Sequence, residues 1–349
     1  MTVPAITDPQ AEPKYGDSWF QRKLESMLYE PRDAVFARLA LKNLLIIAPL
    51  QIALYVWFSW WLAAAVWVVQ IAWMAPPCIL MLHNTMHRPF FKEPRWLNKA
   101  VPFTMSLLFG IPTGYMEHHV GMHHAENNLR NDLSSTMKYQ RDSFLHWLMY
   151  VGRFLALIHI ELPQYFLKKK RNAMAWRPLK AEAVVIGLMI ALSFVNWQAT
   201  IAAFVVPYFF MRFAMMWGNW GQHAFIDASQ PGNSYVNSIT CINSTYNQRC
   251  FNDGYHIGHH VTQTRHWTDL PRDFLANQER YLKEGCIVFE GIDFFMVSLF
   301  LFLKRYDWLA KRFVRMPGDT RTEEQIIAFL KERTRRIADE VPEGVVMNA

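Results

Sequence analysis

Two long stretches without a charged side chain constrain the fold of this chain more than any other feature. Asp, Glu, Lys and Arg are absent from Asn43 to Leu82 and again from Ala183 to Met211, after which the apolar pattern resumes beyond Arg212. A helix needs about 20 largely apolar residues to cross the hydrocarbon core of a bilayer. We therefore predict four membrane spans, paired in two helical hairpins. They lie at 43–60, 62–82, 181–197 and 199–219.

The basic residues lie almost entirely outside the two predicted hairpins. The turns expected near Trp60 and Trp197 contain no Lys or Arg. Because Lys and Arg beside membrane spans stay on the cytoplasmic side, we expect both termini in the cytoplasm. Contacts with anionic lipid then account for the net charge of +7, and no nucleic-acid partner is expected. Arg212, inside the last span, is either a functional residue or a side chain that reaches toward the lipid head groups.

Three other apolar stretches are short or contain charged residues and proline, so we predict interfacial or re-entrant helices there. An alternative for the last of them is a fifth span. That alternative would place the Lys-rich C-terminal region outside the cell, against the distribution of the other basic residues. His146 and His159, in the second stretch, are expected to be ordinary structural residues. The stretches are 101–116, 144–166 and 286–303.

Together these features predict an all-α membrane protein with four transmembrane helices in two hairpins and a cytoplasmic helical cap. The charged share of 19%, against about 25% in average globular proteins, is then an average over apolar spans and a polar cap. We expect a single domain over residues 1–349, with an interfacial helix in its N-terminal segment. The segments are the N-terminal segment at 1–42, the hairpins at 43–82 and 181–219, and the cap segments at 83–180 and 220–349.

Histidine is concentrated beside the cytoplasmic ends of the predicted spans. Eleven of the 13 histidines lie in two windows, 83–124 and 223–266, and several are three or four residues apart. That spacing places side chains on one face of a helix. Since one metal ion needs only three or four protein ligands, the number of histidines predicts two ions, for which Zn, Cu, Fe or Ni is suitable. The candidate ligands are His83, His87, His119, His123, His124, His223, His256, His259 and His260.

Other residues beside these histidines could bind a metal or orient its ligands. His118 is an alternative to its neighbour His119, which we prefer as the ligand. Metal-bound imidazoles usually donate their second N–H to a carboxylate or carbonyl group, and Glu126 and Asp132 are acidic candidates for that role. The further candidates are His118, Asn219, His266, Glu117 and Asp253.

Three short segments carry most of the candidate ligands. They are His83-Asn-Thr-Met-His87, His119-Val-Gly-Met-His123-His124 and His256-Ile-Gly-His259-His260. These segments resemble the three histidine boxes of the integral-membrane fatty acid desaturase superfamily of non-haem di-iron oxygenases, and the resemblance spans about residues 40–270. In the second box three residues separate the first two histidines, where the family usually has two. That spacing is similar to the one in the alkane monooxygenases.

The resemblance implies a cofactor of two iron ions. In the family's acyl desaturases a histidine near the end of the fourth span completes the site, and an asparagine four residues earlier reaches a metal through water. His223 and Asn219 match these two positions. The stretch Phe251–Tyr255 before the third box is also similar to bacterial acyl desaturases.

The resemblance further implies an oxidoreductase that uses dioxygen to introduce a double bond into a membrane-derived acyl chain. The substrate is expected to be an acyl lipid or an acyl thioester. The alternative is a hydroxylase, a ketolase or an alkane or carotenoid monooxygenase with the same site. A metal transporter or membrane metal sensor is disfavoured, because the ligands lie at or beyond the span ends and no internal repeat is visible.

Electrons for such a reaction have to come from a separate protein. The chain carries no His-Pro-Gly-Gly haem-binding segment, no glycine-rich flavin motif and no CxxC pair among its four cysteines. We therefore expect a ferredoxin or a haem protein as the electron donor, and the basic cytoplasmic face suits an acidic partner. The expected location is a bacterial inner membrane, as a multi-pass protein.

Overall fold

The computed structural model describes residues 3–337 and is mostly helical. The chain forms two compact units. The first, named here the long-helix unit, comprises Glu12–Gly121 and His159–Ala214. The second, named the mixed unit, comprises the described residues of Met1–Ala11, Met122–Ile158 and Met215–Ala349.

The helices are numbered in chain order, and three of the helical stretches have the wider turns of a π-helix. The α-helices are α1 Trp19–Ser26, α2 Ala34–Val56, α3 Trp60–Trp67, α4 Ala75–Met86, α5 Leu97–Phe109, α6 His124–Glu126, α7 Phe144–Lys168, α8 Asn172–Thr200, α9 Val206–Gln222, α10 Thr245–Arg249, α11 His256–Val261, α12 Leu270–Ala276, α13 Gln278–Glu284, α14 Phe294–Phe302, α15 Tyr306–Arg312 and α16 Glu323–Arg333. The π-helical segments are Val68–Met74, Glu117–His123 and Ile201–Val205, and Pro31–Asp33 is a 3-10 turn.

Four helical segments are long and apolar enough to cross a membrane, by length and composition. The prediction of membrane-length helices is therefore confirmed, while their pairing into hairpins stays a prediction. The first predicted hairpin corresponds to two of these segments, separated by the non-helical residues 57–59. Ser59 begins the second of them, because its side chain accepts the N–H of Leu62. The four segments are Pro31–Val56, Trp60–Met86, Phe144–Lys168 and Asn172–Gln222.

The predicted spans at 181–197 and 199–219 belong to one run of helix 51 residues long. Asn196 leaves the helical conformation inside it, with φ −158° and ψ 101°. Its side-chain oxygen accepts the N–H of Ala199 at 3.0 Å, as a residue that caps the start of a helix does. The predicted turn at residues 196–198 is therefore a kink at the same place.

Helix α7 covers the stretch 144–166, for which we predict an interfacial or re-entrant helix. It is one continuous helix of 25 residues that is long and apolar enough to cross a membrane, although it contains Arg153 and Glu161. Its three charged residues are Arg153, Glu161 and Lys168, and its mean hydropathy is the lowest of the four segments. Length and composition do not distinguish a span from an interfacial helix, so the interfacial position stays a prediction.

The mixed unit contains a small sheet, which the prediction of an all-α protein missed. Strand β1, Ile239–Ile242, pairs in parallel with strand β2, Ile287–Glu290. The stretch predicted at 286–303 forms β2 and then α14, which has nine residues. A helix of that length is too short to cross a bilayer. The alternative of a fifth span is therefore wrong.

Arg212 is buried in the long-helix unit and forms an ion pair with Glu182. Its guanidinium group also donates to the carbonyl oxygen of Gly110 at 2.9 Å. Gly110, with φ +70°, ends α5, and a Cβ atom there would lie 2.3 Å from the backbone nitrogen of Tyr208. Arg212 therefore holds a close helix contact together, and the interpretation that it reaches toward lipid head groups is wrong.

Each unit has its own hydrophobic core. In the long-helix unit small side chains let helices approach closely, as is common in membrane proteins. This cluster contains Leu54, Ala63, Val66, Ala199, Ala202, Ala203 and Phe204. In the mixed unit one cluster surrounds the sheet and another lies beneath the third histidine box. The second of these includes Tyr235, Ile242, Tyr255, Ile257, Leu270, Phe274, Tyr281 and Val288.

The four cysteines are free thiols, and all of them are buried. Burial raises the pKa of the three that lie in the mixed unit. They are Cys241, Cys250 and Cys286, and the fourth is Cys78 in α4.

Candidate metal centre

Four histidines of the mixed unit form a buried cluster, named here the four-histidine set. One ring nitrogen of each lies within 4.8 Å of a ring nitrogen of every other member. The Nε2 atom of His256 is 3.1 Å from Nε2 of His260 and 3.3 Å from Nε2 of His223. No member is more than 7% exposed. The set consists of His123, His223, His256 and His260.

Three separate parts of the sequence supply the four-histidine set. His123 is the last residue of the π-helical segment Glu117–His123, and His223 directly follows α9. His256 and His260 are four residues apart on α11 and therefore share a helix face. The ends of helices thus place all four imidazoles.

Asp132 orients the imidazole of His123. Its Oδ2 atom lies 2.6 Å from Nδ1 of His123 and also accepts the N–H of Asn128 at 3.1 Å. Its Oδ1 atom accepts the backbone N–H and the hydroxyl group of Ser134, at 2.8 and 2.6 Å. A carboxylate that holds Nδ1 of an imidazole leaves Nε2 for a metal. The predicted orienting role of Asp132 agrees with this geometry.

His223 is held from two sides. Its Nδ1 atom donates to the carbonyl oxygen of Asn237 at 2.7 Å, while its own carbonyl oxygen accepts the hydroxyl group of Thr136 at 2.7 Å. Because Nδ1 carries the hydrogen, Nε2 of neutral His223 carries the lone pair that faces His256. Neutral imidazoles whose ring nitrogens lie this close to one another can offer their lone pairs to one cation placed among them. The donor set therefore fits a metal ion.

Burial keeps this set in the protonation state that binds metals. Burial, followed by the neighbouring His123, lowers the pKa of His223 to about 3. Burial and then the surrounding imidazoles lower the pKa of His256 well below its ordinary value. Burial alone would raise the pKa of Asp132, but His123 and the hydrogen bonds from Ser134 lower it overall. At neutral pH the lone pairs of His223 and His256 are therefore available to a metal.

The long-helix unit holds a second group, named the three-histidine set. His119 Nε2 lies 3.1 Å from His83 Nε2, and the ring centroids of His83 and His87 are 5.2 Å apart. The rings of His87 and His119 are 5.1 Å apart. His83 and His87 are four residues apart at the end of α4, which the i, i+4 spacing predicted.

The remaining two candidate ligands form a pair in the mixed unit. His124 begins α6, and His259 lies on α11 between the two members of the four-histidine set on that helix. Their Nε2 atoms are 3.0 Å apart, and their ring centroids are 4.8 Å apart. Imidazole nitrogens as close as these also suit a shared cation.

The second histidine box lies in a π-helical segment, which accounts for its unusual spacing. In a π-helix the backbone hydrogen bond joins residues five apart, so each hydrogen-bonded loop encloses one more residue than in an α-helix. The segment Glu117–His123 covers the three residues that separate His119 from His123. The additional residue of the box is therefore absorbed by the wider turn. Such turns are frequent at functional sites.

The alternative ligand His118 is buried on the same π-helical segment as His119. Among the described residues, His119 belongs to a group of candidate ligands and His118 does not. This geometry supports our preference for His119. His266 is likewise outside these groups and contacts Thr268 Oγ1 through Nδ1 at 2.7 Å.

The predicted acidic and amide candidates have defined neighbours. Asn219 donates to the hydroxyl group of Tyr150 at 2.7 Å and to the carbonyl oxygen of Ser134 at 3.0 Å, which connects it to the loop of Asp132. Asp253 accepts hydrogen bonds from Gln222 and Tyr246. Glu117 accepts one from Arg177, and burial raises the pKa of Glu117.

Two contacts to His223 and one to the next residue, Ala224, could not be predicted from the sequence. The carbonyl oxygen of Asn237 that accepts His223 Nδ1 has no sequence signal, since every residue has a carbonyl group. Thr136 and Arg141 bind the carbonyl oxygens of His223 and Ala224. A fully buried arginine without a nearby signature motif could be found only from the structure.

The turn before the third box depends on Gly254. A Cβ atom at this position would lie 2.3 Å from the carbonyl oxygen of Cys241 and 2.3 Å from Oδ1 of Asn247. The backbone of Gly254 exploits this closeness, because its N–H donates to Asn247 and its carbonyl oxygen accepts the N–H of Cys241. The turn is thereby fixed to the end of β1, two residues before His256.

Buried imidazole clusters in a chain with four membrane-length helices define a class of protein, a helical membrane protein with candidate metal sites. The chain belongs to the fatty acid desaturase family, whose family model matches residues 56–291. That match includes every candidate histidine ligand. No curated protein and no solved structure matches the chain.

Family membership indicates the general class of function. It implies an oxidoreductase that acts on an acyl substrate in association with a membrane. The family depends on a di-iron cofactor, and the histidine groups could bind metal. The four membrane-length helices agree with a membrane protein.

Proposed function

We propose that this protein is a dioxygen-dependent di-iron fatty acyl desaturase that introduces a double bond into a membrane-derived acyl chain. The observation that carries the proposal is the four-histidine set, in which Asp132 and Asn237 orient buried imidazoles. Imidazoles whose second ring nitrogen is held by a carboxylate or a carbonyl group are characteristic of metal ligands. Membership in the fatty acid desaturase family supports the reaction class.

The nine candidate histidines are proposed as the ligands of two iron ions. The four-histidine set offers a complete set of ligands for one ion. The other five candidate histidines are proposed to complete the ligand set, as family membership implies. When bound, the iron ions would supply the dioxygen chemistry that breaks unactivated C–H bonds, which no side chain can do alone.

The protein's own residues would orient the ligands and control protons. Asp132 holds the proton at Nδ1 of His123, and Asn237 holds the proton at Nδ1 of His223. Both contacts leave Nε2 of these rings for metal binding. Asn219, which is fixed by Tyr150, is proposed to lie beside the bound metal through water.

The complete reaction removes two hydrogen atoms from adjacent carbons of the acyl chain. One dioxygen molecule takes up these two hydrogens together with two electrons and two protons, and it leaves as two water molecules. The electrons are proposed to come from a separate ferredoxin or haem protein. The acyl chain is proposed to be carried by a lipid or a thioester.

We further propose that the chain is one functional domain, with hairpins at 43–82 and 181–219. The residues at 1–42, 83–180 and 220–349 would lie on the cytoplasmic side of a bacterial inner membrane. The distribution of Lys and Arg supports this orientation. It accords with the position of the candidate ligands beside the ends of the predicted spans.

A second candidate function is hydroxylation, ketolation or terminal oxidation by the same site, on an acyl, alkane or carotenoid substrate. The observation that favours it is the second box, whose spacing is similar to that of the alkane monooxygenases and lies in a π-helical segment. These reactions differ from desaturation in how the substrate is positioned.

Mass spectrometry of lipids from cells that express the protein with an added reductase system distinguishes the two candidates. Desaturation gives products that have lost two hydrogens, whereas the second candidate gives products that have gained an oxygen. A His123→Ala variant, expressed equally, is the inactive control. Metal analysis of the purified active protein should give about two irons per chain, and a clearly lower value in fully active protein would contradict the proposal.

A further inference from the structure

The N-terminal segment Val3–Gln10 lies on the mixed unit without forming a helix or a strand. Val3 and Ile6 pack against the hydrophobic cluster that contains Ile257 of the third histidine box. Asp8, in the same segment, is 3% exposed. This segment, named here the strap, is therefore part of the structure around the candidate ligands.

The strap is anchored first at the end of β1. The backbone N–H of Asn243 donates to Oδ2 of Asp8 at 2.7 Å. The side chain of Asn243 donates to the carbonyl oxygen of Ala5 at 3.0 Å and accepts the N–H of Thr7 at 2.8 Å. One asparagine thus pairs with the strap through its main chain and its side chain.

The second anchor lies directly before the third box. The hydroxyl group of Tyr255 donates to Oδ2 of Asp8 at 2.7 Å. Asn252 donates to the carbonyl oxygen of Pro9 at 2.7 Å and to that of Trp267 at 2.9 Å. Asp8 therefore connects the end of β1 to the residue that precedes His256.

Helix α11 needs such support. It has only six residues, and no side chain caps its first turn. Helices this short are not stable in water without tertiary contacts. Tyr255 starts α11, because its carbonyl oxygen accepts the N–H of His259 at 3.1 Å. Fixing the ring of Tyr255 fixes the start of the helix that carries His256, His259 and His260.

A buried carboxylate is unfavourable unless donors satisfy it, so the donors around Asp8 indicate what it holds in place. Its Oδ2 atom accepts the N–H of Asn243, at the end of β1, and the hydroxyl group of Tyr255, directly before α11. A strap that served only as a cover for apolar residues would need Val3 and Ile6 but not a buried aspartate. The hydrogen bond of Asp8 is made to Tyr255, the residue directly before the third histidine box.

We propose that the strap positions the third histidine box and that Asp8 is a positioning residue for metal binding by the four-histidine set. The inference rests on the proposed function only in so far as that set binds a metal. The strap acts through Tyr255 and does not itself contact a ligand. Its effect is on the helix that presents His256 and His260.

The test compares four variants of the full chain in detergent with the wild type: three single substitutions and the Asp8→Asn/Tyr255→Phe double variant. Asp8→Asn removes the carboxylate, and Tyr255→Phe removes only the hydroxyl group that donates to it. Asp17→Asn is the matched control, because Asp17 is exposed and pairs with the nearby, exposed Arg22. The measurements are cobalt(II) titration of metal-free protein by visible absorption and hydrogen exchange of the amides at 255–261 without metal.

We expect Asp8→Asn and Tyr255→Phe each to weaken cobalt binding by the four-histidine set about tenfold. Losses of this size are known for residues that orient metal ligands. The double variant should bind cobalt no more weakly than the weaker-binding single variant, since both substitutions act on the hydrogen bond between Asp8 and Tyr255. Exchange at 255–261 should become faster in both. Asp17→Asn should behave as the wild type.

Unchanged cobalt affinity in both variants would overturn the inference, and so would a loss of thermal stability without a loss of cobalt affinity. If Asp8→Asn does not fold, Tyr255→Phe decides by the same measurements. A wild-type protein that binds no cobalt would contradict the proposed function instead. In that case the exchange experiment still shows whether the strap orders α11.

Discussion

The four-histidine set and the three-histidine set depend on different parts of the structure. The three-histidine set is carried by the end of α4 and one π-helical segment. The four-histidine set collects residues from His123 to His260, and loop residues such as Asp132 and Asn237 orient its rings. The comparison teaches that helix ends suffice to bring imidazoles together, while loops determine which nitrogen each imidazole presents.

Removal of one ligand from either set is the largest expected perturbation. His260→Ala leaves three imidazoles in the four-histidine set, and His83→Ala leaves two in the three-histidine set. Each variant should abolish desaturation and reduce bound iron from two to about one per chain, because the proposed reaction needs both ions. Product analysis and metal analysis measure this. Full activity in one variant would show that its set is not part of the site.

The substitution Asp132→Asn is expected to affect metal binding by only one of the two histidine sets. The amide cannot hold the proton on His123 Nδ1 as a carboxylate does, so metal binding by the four-histidine set should weaken about 10- to 100-fold. Binding by the three-histidine set should be unchanged. Asp307→Asn is the matched control, since Asp307 pairs with Arg305 at an exposed position. Cobalt titration of both variants measures the effect. If Asp132→Asn weakened binding by the two histidine sets equally, the proposed difference between the sets would be wrong.

Gly254→Ala tests how far the turn before the third box supports the four-histidine set, and it removes no polar group. The added Cβ atom would collide with Cys241 and Asn247, so we expect a destabilisation of about 1–3 kcal/mol. Gly152→Ala is the matched control in the mixed unit, because nothing lies within 4 Å of a Cβ atom there. Thermal unfolding in detergent measures both variants. A stable Gly254→Ala protein would show that the turn adapts easily.

His146→Gln is expected to have the smallest effect. His146 lies outside both sets, and its Nδ1 atom accepts the N–H of Gln140 at 2.8 Å, a contact that the glutamine oxygen can replace. Activity should stay within about twofold of the wild type, as for most substitutions away from a site. Kinetic measurements that gave a large loss would place His146 in the site after all.

The membrane-length helices could be predicted because hydrocarbon imposes a simple rule on sequence. An uncharged run as long as Asn43–Leu82 is typical of membrane spans, and the kink at Asn196 lies where a turn is expected. The sheet was missed because β1 and β2 have only four residues each, and all but one of these residues are buried, so neither strand shows an alternating pattern. Short strands carry too little periodicity to distinguish them from loops or helix ends.

The candidate ligands could be found from spacing, but their grouping could not. The i, i+4 rule pairs His119 with His123, whereas the structure groups His123 with residues a hundred or more positions away and His119 with His83. The rule assumes α-helical turns, and the second box lies in a π-helical segment. The orienting carbonyl group of Asn237 depends on the fold alone.

The burial of all four cysteines makes the native chain well suited to chemical labelling. A thiol that is buried and has a raised pKa reacts slowly with a maleimide, so the folded protein should give little background. A single cysteine introduced at an exposed position would then report its own accessibility. Trp197 beside the kink and Lys14 near the N-terminus are exposed positions for such probes. Labelling from opposite sides of a vesicle would establish on which side of the membrane each lies.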